Sequence, residues 1–386
     1  MTESNQDFET LVGPDRRNIP RPRGLSWAII VIAGLVVAGM IALWPRGDAL
    51  VDLGVIGFAD DTVPARVSAV EPVGCDYAPN LDCFLVEFEV NAREHAGVVV
   101  TIQFEDQAGQ PALDVDDGVF LSAVAFEDGP ITFQYADRDR RALIGVLALV
   151  FAVAVIGLGR FRGLAALIGL VLSIAVLVMF ILPAIVHGRD AVLVAMVGGG
   201  AIALLSLYLA HGYNPLTHAA ALGTFAALSL TVLLSWLVVG IASFSGLTGD
   251  EAFFLIALPD VDLSGLILAG ITLGALGALD DVTVTQASAV WEVHRANPSL
   301  GANDLYRAGI RVGRDHIVAT TNTLLLAYAG ASLPLLILFS LSDQSIGVLA
   351  SSEVVSVEIV RTLVGSMGLV ASVPMTTWLS ARIAAR

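Results

Sequence analysis

The sequence is poor in charged residues, and one residue type is missing altogether. Only 15% of the 386 residues are charged, against about 25% in an average soluble domain. Hydrophobic residues make up 56%, the mean hydropathy is +0.80, and without any lysine all 20 cationic side chains are arginines. This composition excludes an ordinary soluble protein. With a net charge of −16, no nucleic-acid partner is expected, because such partners select basic surfaces.

Motifs that would identify an enzyme or an ATP-driven pump are also missing. The chain has no Walker loop, no HExxH and no GxSxG sequence, so phosphate-cradling loops and familiar hydrolase sites are not encoded. Its only two cysteines, Cys75 and Cys83, have no pair of histidines beside them. We therefore predict no enzymatic activity, no cofactor and no metal site.

Both cysteines lie in an acidic segment that has the pattern of β-structure. Between Arg46 and Arg141 there are 19 acidic residues against 6 arginines, and residues 85–90 and 131–135 alternate between apolar and polar as half-buried strands do. Residues 45–141 are thus predicted to form a small all-β extracytoplasmic domain, a barrel or sandwich of about five or six strands. Outside the cell a disulfide between Cys75 and Cys83 is permitted. The domain could bind an envelope protein partner.

The remaining sequence consists mainly of apolar runs that are long enough to cross a lipid bilayer as helices. Residues 1–24 are polar and predict a disordered cytoplasmic tail. The fold class is therefore mostly α, a polytopic transmembrane bundle of about eight spans, of which seven lie within residues 142–386. The predicted spans are residues 25–44, 142–159, 164–186, 191–210, 216–241, 263–279, 317–341 and 357–383.

Arginines give the orientation, because cytoplasmic loops are enriched in basic residues. They precede the first span, separate the second from the third and the sixth from the seventh, and follow the last. An even number of crossings places all these sites, and both termini, on the cytoplasmic side of the cell membrane. Three arginines just before the second span break the rule, in company with Asp137 and Asp139.

Candidate transport chemistry begins at the paired acids Asp280 and Asp281. If the helix continues past them, Asp281, Thr285, Ser288 and Glu292 share one face, as a proton or ion pathway would require. Ionisable groups at membrane depth are usually functional. The other interpretation is an amphipathic helix leaving the membrane, since Asp280 lies about 26 Å along a span that starts at Leu263.

The following span carries Thr320, Asn322 and Thr323, which we expect to face the Asp280 side of the preceding helix. Hydrogen bonds that only hold neighbouring helices together are the alternative. The two adjacent aspartates diverge by about 100° on a helix, so they do not form the facing dyad of an intramembrane hydrolase.

Long stretches of the sequence resemble the bacterial YibE/F family. They are Gly274-Ala-Leu-Gly-Ala-Leu-Asp-Asp-Val-Thr-Val-Thr-Gln-Ala-Ser-Ala-Val, Ala308-Gly-Ile-Arg-Val-Gly-Arg-Asp, Asn322-Thr-Leu-Leu-Leu-Ala-Tyr-Ala-Gly and Glu358-Ile-Val-Arg-Thr-Leu-Val-Gly-Ser-Met-Gly-Leu. The resemblance extends from about residue 65 to the C-terminus. The resemblance implies a multi-pass membrane protein but does not indicate a substrate.

The order of an Asp-bearing span, a cytoplasmic helix and a Thr-rich return span is also similar to the export components SecD and SecF. These proteins resemble proton-coupled permeases, and the resemblance implies that Asp280 or Asp281 titrates a proton. The two additional spans and the small outer domain depart from that pattern.

Two hypotheses follow. The first is a transporter-like, proton-coupled permease, and the alternative is a non-transporting scaffold or accessory subunit whose outer domain binds envelope partners. The lipid bilayer surrounds the protein in both cases, and the small-residue faces allow a homo-oligomer.

Overall fold

The computed structural model describes residues 23–46, 61–75, 78–92, 95–105, 112–124, 131–248, 255, 261–342 and 344–385. Contacts divide the chain into two compact units, one of residues Asp48–Ala154 and one of Met1–Gly47 with Val155–Arg386. The predicted disordered tail, residues 1–24, lies outside the described residues except for its last two.

The first unit contains a five-stranded antiparallel sheet in the order β3-β2-β1-β4-β5. Its strands form one curled sheet, so among the described residues no second sheet makes the sandwich that was one of the two expected forms. The strands are β1 (Asp61–Cys75), β2 (Ala78–Val90), β3 (Val99–Glu105), β4 (Gly118–Val124) and β5 (Thr132–Arg138).

The sheet curls because its inward side chains, which alternate with outward ones along each strand, need cover that a flat sheet of this size does not provide. Phe88 on β2 is fully buried. Above it, the rings of Phe104 and Tyr135 from the two edge strands meet edge to face, with centroids 5.5 Å apart. The disulfide Cys75–Cys83 joins β1 to β2.

Most of the chain is helical, and six helices among the described residues are long and apolar enough to cross a membrane. A bent pair, α7 with α8, makes a seventh if the two parts form one span. The helices are α1 (Arg23–Leu43), α2 (Arg141–Val176), α3 (Leu182–Val186), α4 (Ala191–His211), α5 (Pro215–Ala242), α6 (Leu263–Ala296), α7 (Ala302–Ala331), α8 (Leu333–Ser340), α9 (Ile346–Ser351) and α10 (Glu353–Ala384), with a π-helical turn Leu177–Ile181 between α2 and α3.

Helix α2 contains a sharp break at Arg160, whose backbone angles are φ 51° and ψ −130°. Beyond it the chain turns back, and Gly163 comes close to the backbone that precedes the break. A Cβ on Gly163 would overlap the carbonyl oxygen of Val155 and lie 3.2 Å from the Cα of Ile156. Only a glycine fits where two backbones approach this closely. The break falls among the arginines that separate the second predicted span from the third.

The expected span of residues 317–341 has a different form in the structure. Helix α7 starts much earlier, at Ala302, and α8 departs from its direction by 69° after a break at Ser332. Pro334 lies in the first turn of α8. A proline is accepted there because the first N–H groups of a helix have no intrahelical partner, whereas inside a helix it would remove a hydrogen bond.

Helices α5, α6 and α10 form the centre of the second unit, and α4 and α7 pack against α6. Their interior combines apolar residues such as Leu279, Val282 and Leu369 with buried hydroxyl groups. Small and hydroxylated side chains let helices approach closely where lipid supplies no hydrophobic force between them. This packing brings the candidate site together.

Candidate functional site

The most enclosed carboxylate of the helical unit is Asp280 on α6. Its Oδ2 accepts a hydrogen bond of 2.5 Å from the hydroxyl of Ser206 on α4. The hydroxyl of Thr224 on α5 lies 2.7 Å from the hydroxyl of Thr283 on α6, and Thr283 donates to the backbone carbonyl of Asp280 over 3.1 Å. Ser206 is therefore the residue whose hydroxyl donates to this acidic side chain, and the hydroxyls of Thr224 and Thr283 lie beside the same turn of α6.

The second oxygen of Asp280, Oδ1, is inaccessible to solvent and has no hydrogen-bond partner among the described residues. The adjacent side chains Leu279 and Val282 belong to the apolar core that α6 shares with α4, α5 and α10. Burying a polar oxygen without a partner is costly, and burying a charged one costs more. The arrangement leaves one position on Asp280 where a proton could reside.

The polar residues that were predicted to share one face of α6 are not enclosed together with Asp280. Asp281, Thr285 and Glu292 are exposed, and Glu292 forms an ion pair of 3.0 Å with Arg295. Asp280 and Asp281 separate because successive residues on an α-helix point about 100° apart. Ser288 is half-buried and lines a polar cavity.

The predicted residues of α7 make different contacts from those expected. The hydroxyl of Thr320 donates to the carbonyl of His316 and that of Thr323 to the carbonyl of Ala319, each over 3.0 Å. Asn322 and Thr323 are exposed. The hydroxyl partner of the Asp280 side chain is Ser206 of α4 instead, because α4 faces that side of α6.

Gln286 is a buried polar residue that the sequence analysis did not single out. Its Nε2 donates to the carbonyl of Gly309 over 2.8 Å and to the hydroxyl of Thr377 over 2.7 Å, so one side chain connects α6 to α7 and α10. A Cβ on Gly313 would lie 2.8 Å from its Oε1. The spacing Gly309-x-x-x-Gly313, typical of close helix packing, is the signal that could have found this contact.

A second polar group lies where Gly270 and Gly274 of α6 face α7 and α10. Gly274 packs against the hydroxyl of Tyr328, and a Cβ on Gly270 would lie 3.6 Å from Nη2 of Arg361. Arg361 also pairs with Glu358 over 3.4 Å. An almost wholly apolar cavity of about 260 Å³ adjoins this group. The ion pair lies within α10, and each of its side chains remains partly exposed.

Metal binding finds no support in the part of the chain that the structure describes, where no three His, Cys, Asp or Glu side chains are grouped to hold an ion. His218, at the start of α5, is fully buried. Its Nδ1 lies 2.8 Å from the hydroxyl of Tyr208, and the ring of Tyr213 packs on it at 4.4 Å. This histidine has a packing role.

Comparison with known proteins identifies the helical part of the chain. The family described as YibE/F-like protein matches residues 147–386, which cover well over half of the sequence. No curated protein and no solved structure matches. The family match and the long apolar helices together fit a membrane protein. The chain belongs to the YibE/F-like family, as its sequence motifs predicted.

Proposed function

We propose that this chain is a multi-pass, transporter-like permease of the cell membrane in which Asp280 accepts and releases a proton. One observation carries the proposal, the buried carboxylate of Asp280 with a hydroxyl partner on Oδ2 and none described on Oδ1. Acidic side chains inside transmembrane bundles generally belong to ion or proton pathways, because burying them is otherwise selected against.

The proposal includes a topology of about eight spans. Residues 141–186 extend over 46 residues, about 69 Å of helix and more than twice the hydrocarbon thickness of about 30 Å. The turn at Arg160 divides them into two crossings. With the bent pair α7 and α8 counted as one, about eight crossings result. From the distribution of arginines we propose that both termini are cytoplasmic and that residues 45–141 lie outside.

The hydroxyl groups around Asp280 supply a measure of its depth. Ser206 precedes the end of α4 at His211 by about 8 Å, and Thr224 follows the start of α5 at Pro215 by about 14 Å. In the proposed topology both of these ends are cytoplasmic. Asp280 therefore lies inside the inner half of the bundle, deeper than the headgroups, where a permanent charge is costly.

Protonation gives this site two states. With a proton on Oδ1 the side chain is neutral and can remain between α4, α5 and α6. Without it, the charge favours reorientation of the neighbouring hydroxyls or access of water, either of which changes contacts among the three helices. Coupling of proton movement to transport requires such a two-state element.

The experiment compares the wild-type protein with Asp280→Asn and Asp281→Asn in lipid bilayers. Infrared difference spectra recorded across a pH jump report protonation of individual carboxyl groups. We expect a carboxyl band that disappears in Asp280→Asn and persists in Asp281→Asn, because only Asp280 is enclosed. In proteoliposomes, proton uptake driven by a pH gradient should be lost in the first variant and retained in the second.

Identical spectra and identical proton uptake in wild type and Asp280→Asn would contradict the proposal. Ser206→Ala is a second variant that keeps the carboxyl group. It should shift the carboxyl band without removing it, because the hydrogen bond to Oδ2 is lost.

The alternative is a non-transporting scaffold or accessory subunit that captures envelope proteins. It is favoured by the separate β unit, whose edge strand β3 leaves 57% of Val99 exposed. Unpaired edge strands are templates for binding an additional strand. Deleting residues 50–135 should abolish partner capture if the scaffold hypothesis holds, whereas Asp280→Asn should leave capture unchanged.

A further inference from the structure

A polar cavity of about 480 Å³ lies between the start of α2's second part, the end of α4 and the final third of α6. Arg162, Ala166, His211, Asn214 and Ser288 are among its lining residues. Its volume falls within the range of about 300–1,000 Å³ that is typical of small-molecule sites. The proposed proton site at Asp280 is not part of its lining.

The charge of this cavity differs from that of the whole chain. Arg162 and His211 line it, and no acidic residue of the described part of the chain does, although the net charge of the protein is −16. Arg162 has no acidic partner within the described residues. Arg162 is itself exposed. An arginine that lines a cavity without a carboxylate favours an anionic ligand, and its planar guanidinium suits phosphate oxygens.

The cavity wall between α4 and α5 is held in place by its own hydrogen bonds. The Nδ2 of Asn214 donates to the carbonyl of His211 over 2.8 Å, and its Oδ1 accepts from the amide of Thr217 over 3.0 Å. Asn214 thereby caps α5, a helix of 28 residues, and its role at the cavity is to position the turn. The N-terminal end of a helix adds a partial positive charge.

The depth of the cavity matches the level of lipid headgroups. Ser288 lies about 38 Å along α6 from Leu263, beyond the roughly 30 Å of hydrocarbon. Arg162 follows the turn at Arg160, and His211 is in the last turn of α4. Three independent helix positions thus bring polar groups to the same level, on the side where the proposed topology has cytoplasm.

We propose that this cavity binds a phosphate group, with Arg162 as its charged contact and with His211 and the Ser288 hydroxyl as hydrogen-bond donors. The phosphate can belong to the headgroup of an anionic phospholipid or to a small soluble phosphate. Both sources present the same oxygens to the same three side chains, and basic recesses between membrane helices are suited to such groups.

The test uses the full-length protein in two arms. In detergent, inorganic phosphate is titrated by calorimetry. In the other arm, retention of phosphatidylglycerol over phosphatidylcholine is measured by native mass spectrometry. Binding in the second arm alone assigns a lipid headgroup, and binding in the first assigns a soluble phosphate. Either result supports the proposal.

Arg162→Gln should weaken the observed binding about tenfold or more, since a charge-assisted hydrogen bond is lost. Arg307→Gln, which removes an exposed arginine of α7, is the matched control and should change it less than twofold. Arg162→Lys keeps the charge and should retain part of the affinity. This result shows that the folded cavity persists.

Two results would overturn the proposal. One is binding of neither probe by the wild-type protein. The other is equal binding by wild type and by a folded Arg162→Gln variant. Asp280→Asn should bind phosphate as the wild type does, so failure of the phosphate site and failure of the proton site remain distinguishable.

Discussion

Gly223 on α5 lies directly against the hydroxyl of Thr376 on α10. Eight residues later on α5 and eight residues earlier on α10 the relationship is reversed, with Thr231 on α5 against Gly368 on α10. At both positions a Cβ on the glycine would overlap the threonine hydroxyl. Thr231 and Thr376 are completely buried. Two antiparallel helices therefore interlock through a reciprocal pair of glycine–threonine contacts.

The first prediction concerns this interlock. Gly223→Ala should destabilise the protein by about 1–3 kcal/mol, the usual cost of forcing extra atoms into a packed interior. The measurement is reversible unfolding in mixed micelles. Gly240→Ala, on the same helix but with open space around its Cβ, is the control and should not lose stability.

Removing the obstructing hydroxyl should rescue the variant. Gly223→Ala combined with Thr376→Ala should recover most of the lost stability, because the added methyl then occupies the vacated volume. Equal losses in the single and double variants would show that Thr376 is not what Gly223 accommodates.

A second prediction concerns Gln286 and Thr377. The hydrogen bond between them connects α6 to α10 inside the bundle. The hydroxyl of Thr377 in turn donates a hydrogen bond to the carbonyl of Val373 over 2.6 Å. A double-mutant cycle with Gln286→Met and Thr377→Val should give a coupling energy of about 0.6 kcal/mol, and at most about 2 kcal/mol.

The control is a second double-mutant cycle, in which Thr272→Val replaces Gln286→Met and is combined with Thr377→Val. The hydroxyl of Thr272 donates to the carbonyl of Leu268 on its own helix, so the two substitutions should be additive. A coupling energy indistinguishable from that of the control pair would mean that the bond to Thr377 contributes nothing to stability.

The third prediction tests where the disulfide-containing segment lies. A membrane-impermeant reductant applied to intact cells should make Cys75 and Cys83 reactive to an impermeant maleimide, as both are bonded to each other beforehand. Ser299→Cys, introduced into a Cys75→Ser/Cys83→Ser background, should stay unlabelled because the proposed topology has residue 299 in the cytoplasm. Labelling of Ser299→Cys in intact cells would reverse the orientation.

Loss of the disulfide should also weaken the β unit. For a sequence separation of 8, the chain-entropy treatment gives a stabilisation of roughly 2.5 kcal/mol. Faster limited proteolysis of Cys75→Ser/Cys83→Ser within residues 61–138 is the expected result. Helix α10 should show no change in cleavage.

The fourth prediction concerns Asp139 and acid. Hydrogen bonds from Arg141 to both of its carboxylate oxygens lower the pKa of Asp139 from 3.8 to about 2. A carboxyl group whose pKa is lower in the folded than in the unfolded protein stabilises the fold fully at pH values above its unfolded-state pKa. This stabilisation is lost as the pH falls through the folded-state pKa. The contribution should therefore be constant at neutral pH and disappear between about pH 4 and pH 2.

Carbon-13 NMR titration of the Asp139 carboxyl group measures this shift. Arg141→Gln should bring the midpoint back toward 3.8. Arg140→Gln should not, because Arg140 pairs with Asp137 over 2.7 Å. The same midpoint in wild type and Arg141→Gln would contradict the assignment of Arg141 as the cause.

Much of the architecture is readable from local pattern. Runs such as residues 191–210 and 216–241 reappear as α4 and α5 almost unchanged, since a long apolar run in lipid must satisfy its backbone hydrogen bonds internally. The alternation in residues 85–90 likewise identified β2. The bend after α7 was missed because Pro334 can begin a helix as readily as end one, and only the neighbouring packing selects between them.

The arrangement of the candidate site could not be predicted from local sequence pattern. Helix periodicity could place Asp281, Thr285, Ser288 and Glu292 on one face, but it could not say which face of α6 points inward. Asp280 is the enclosed acid because Ser206, 74 residues away in the chain, donates to it. Periodicity describes one helix at a time, whereas enclosure depends on its neighbours.

Composition, apolar run length and family motifs were thus sufficient for the class of protein, its helices and its β segment, because each of these depends on interactions local in sequence. The inward acid, the Gln286 contacts, the glycine–threonine interlock and the basic cavity were decided only in the folded chain. Each requires side chains from different helices. A local pattern such as Gly309-x-x-x-Gly313 indicates that a helix approaches closely, but it does not identify the neighbouring side chain.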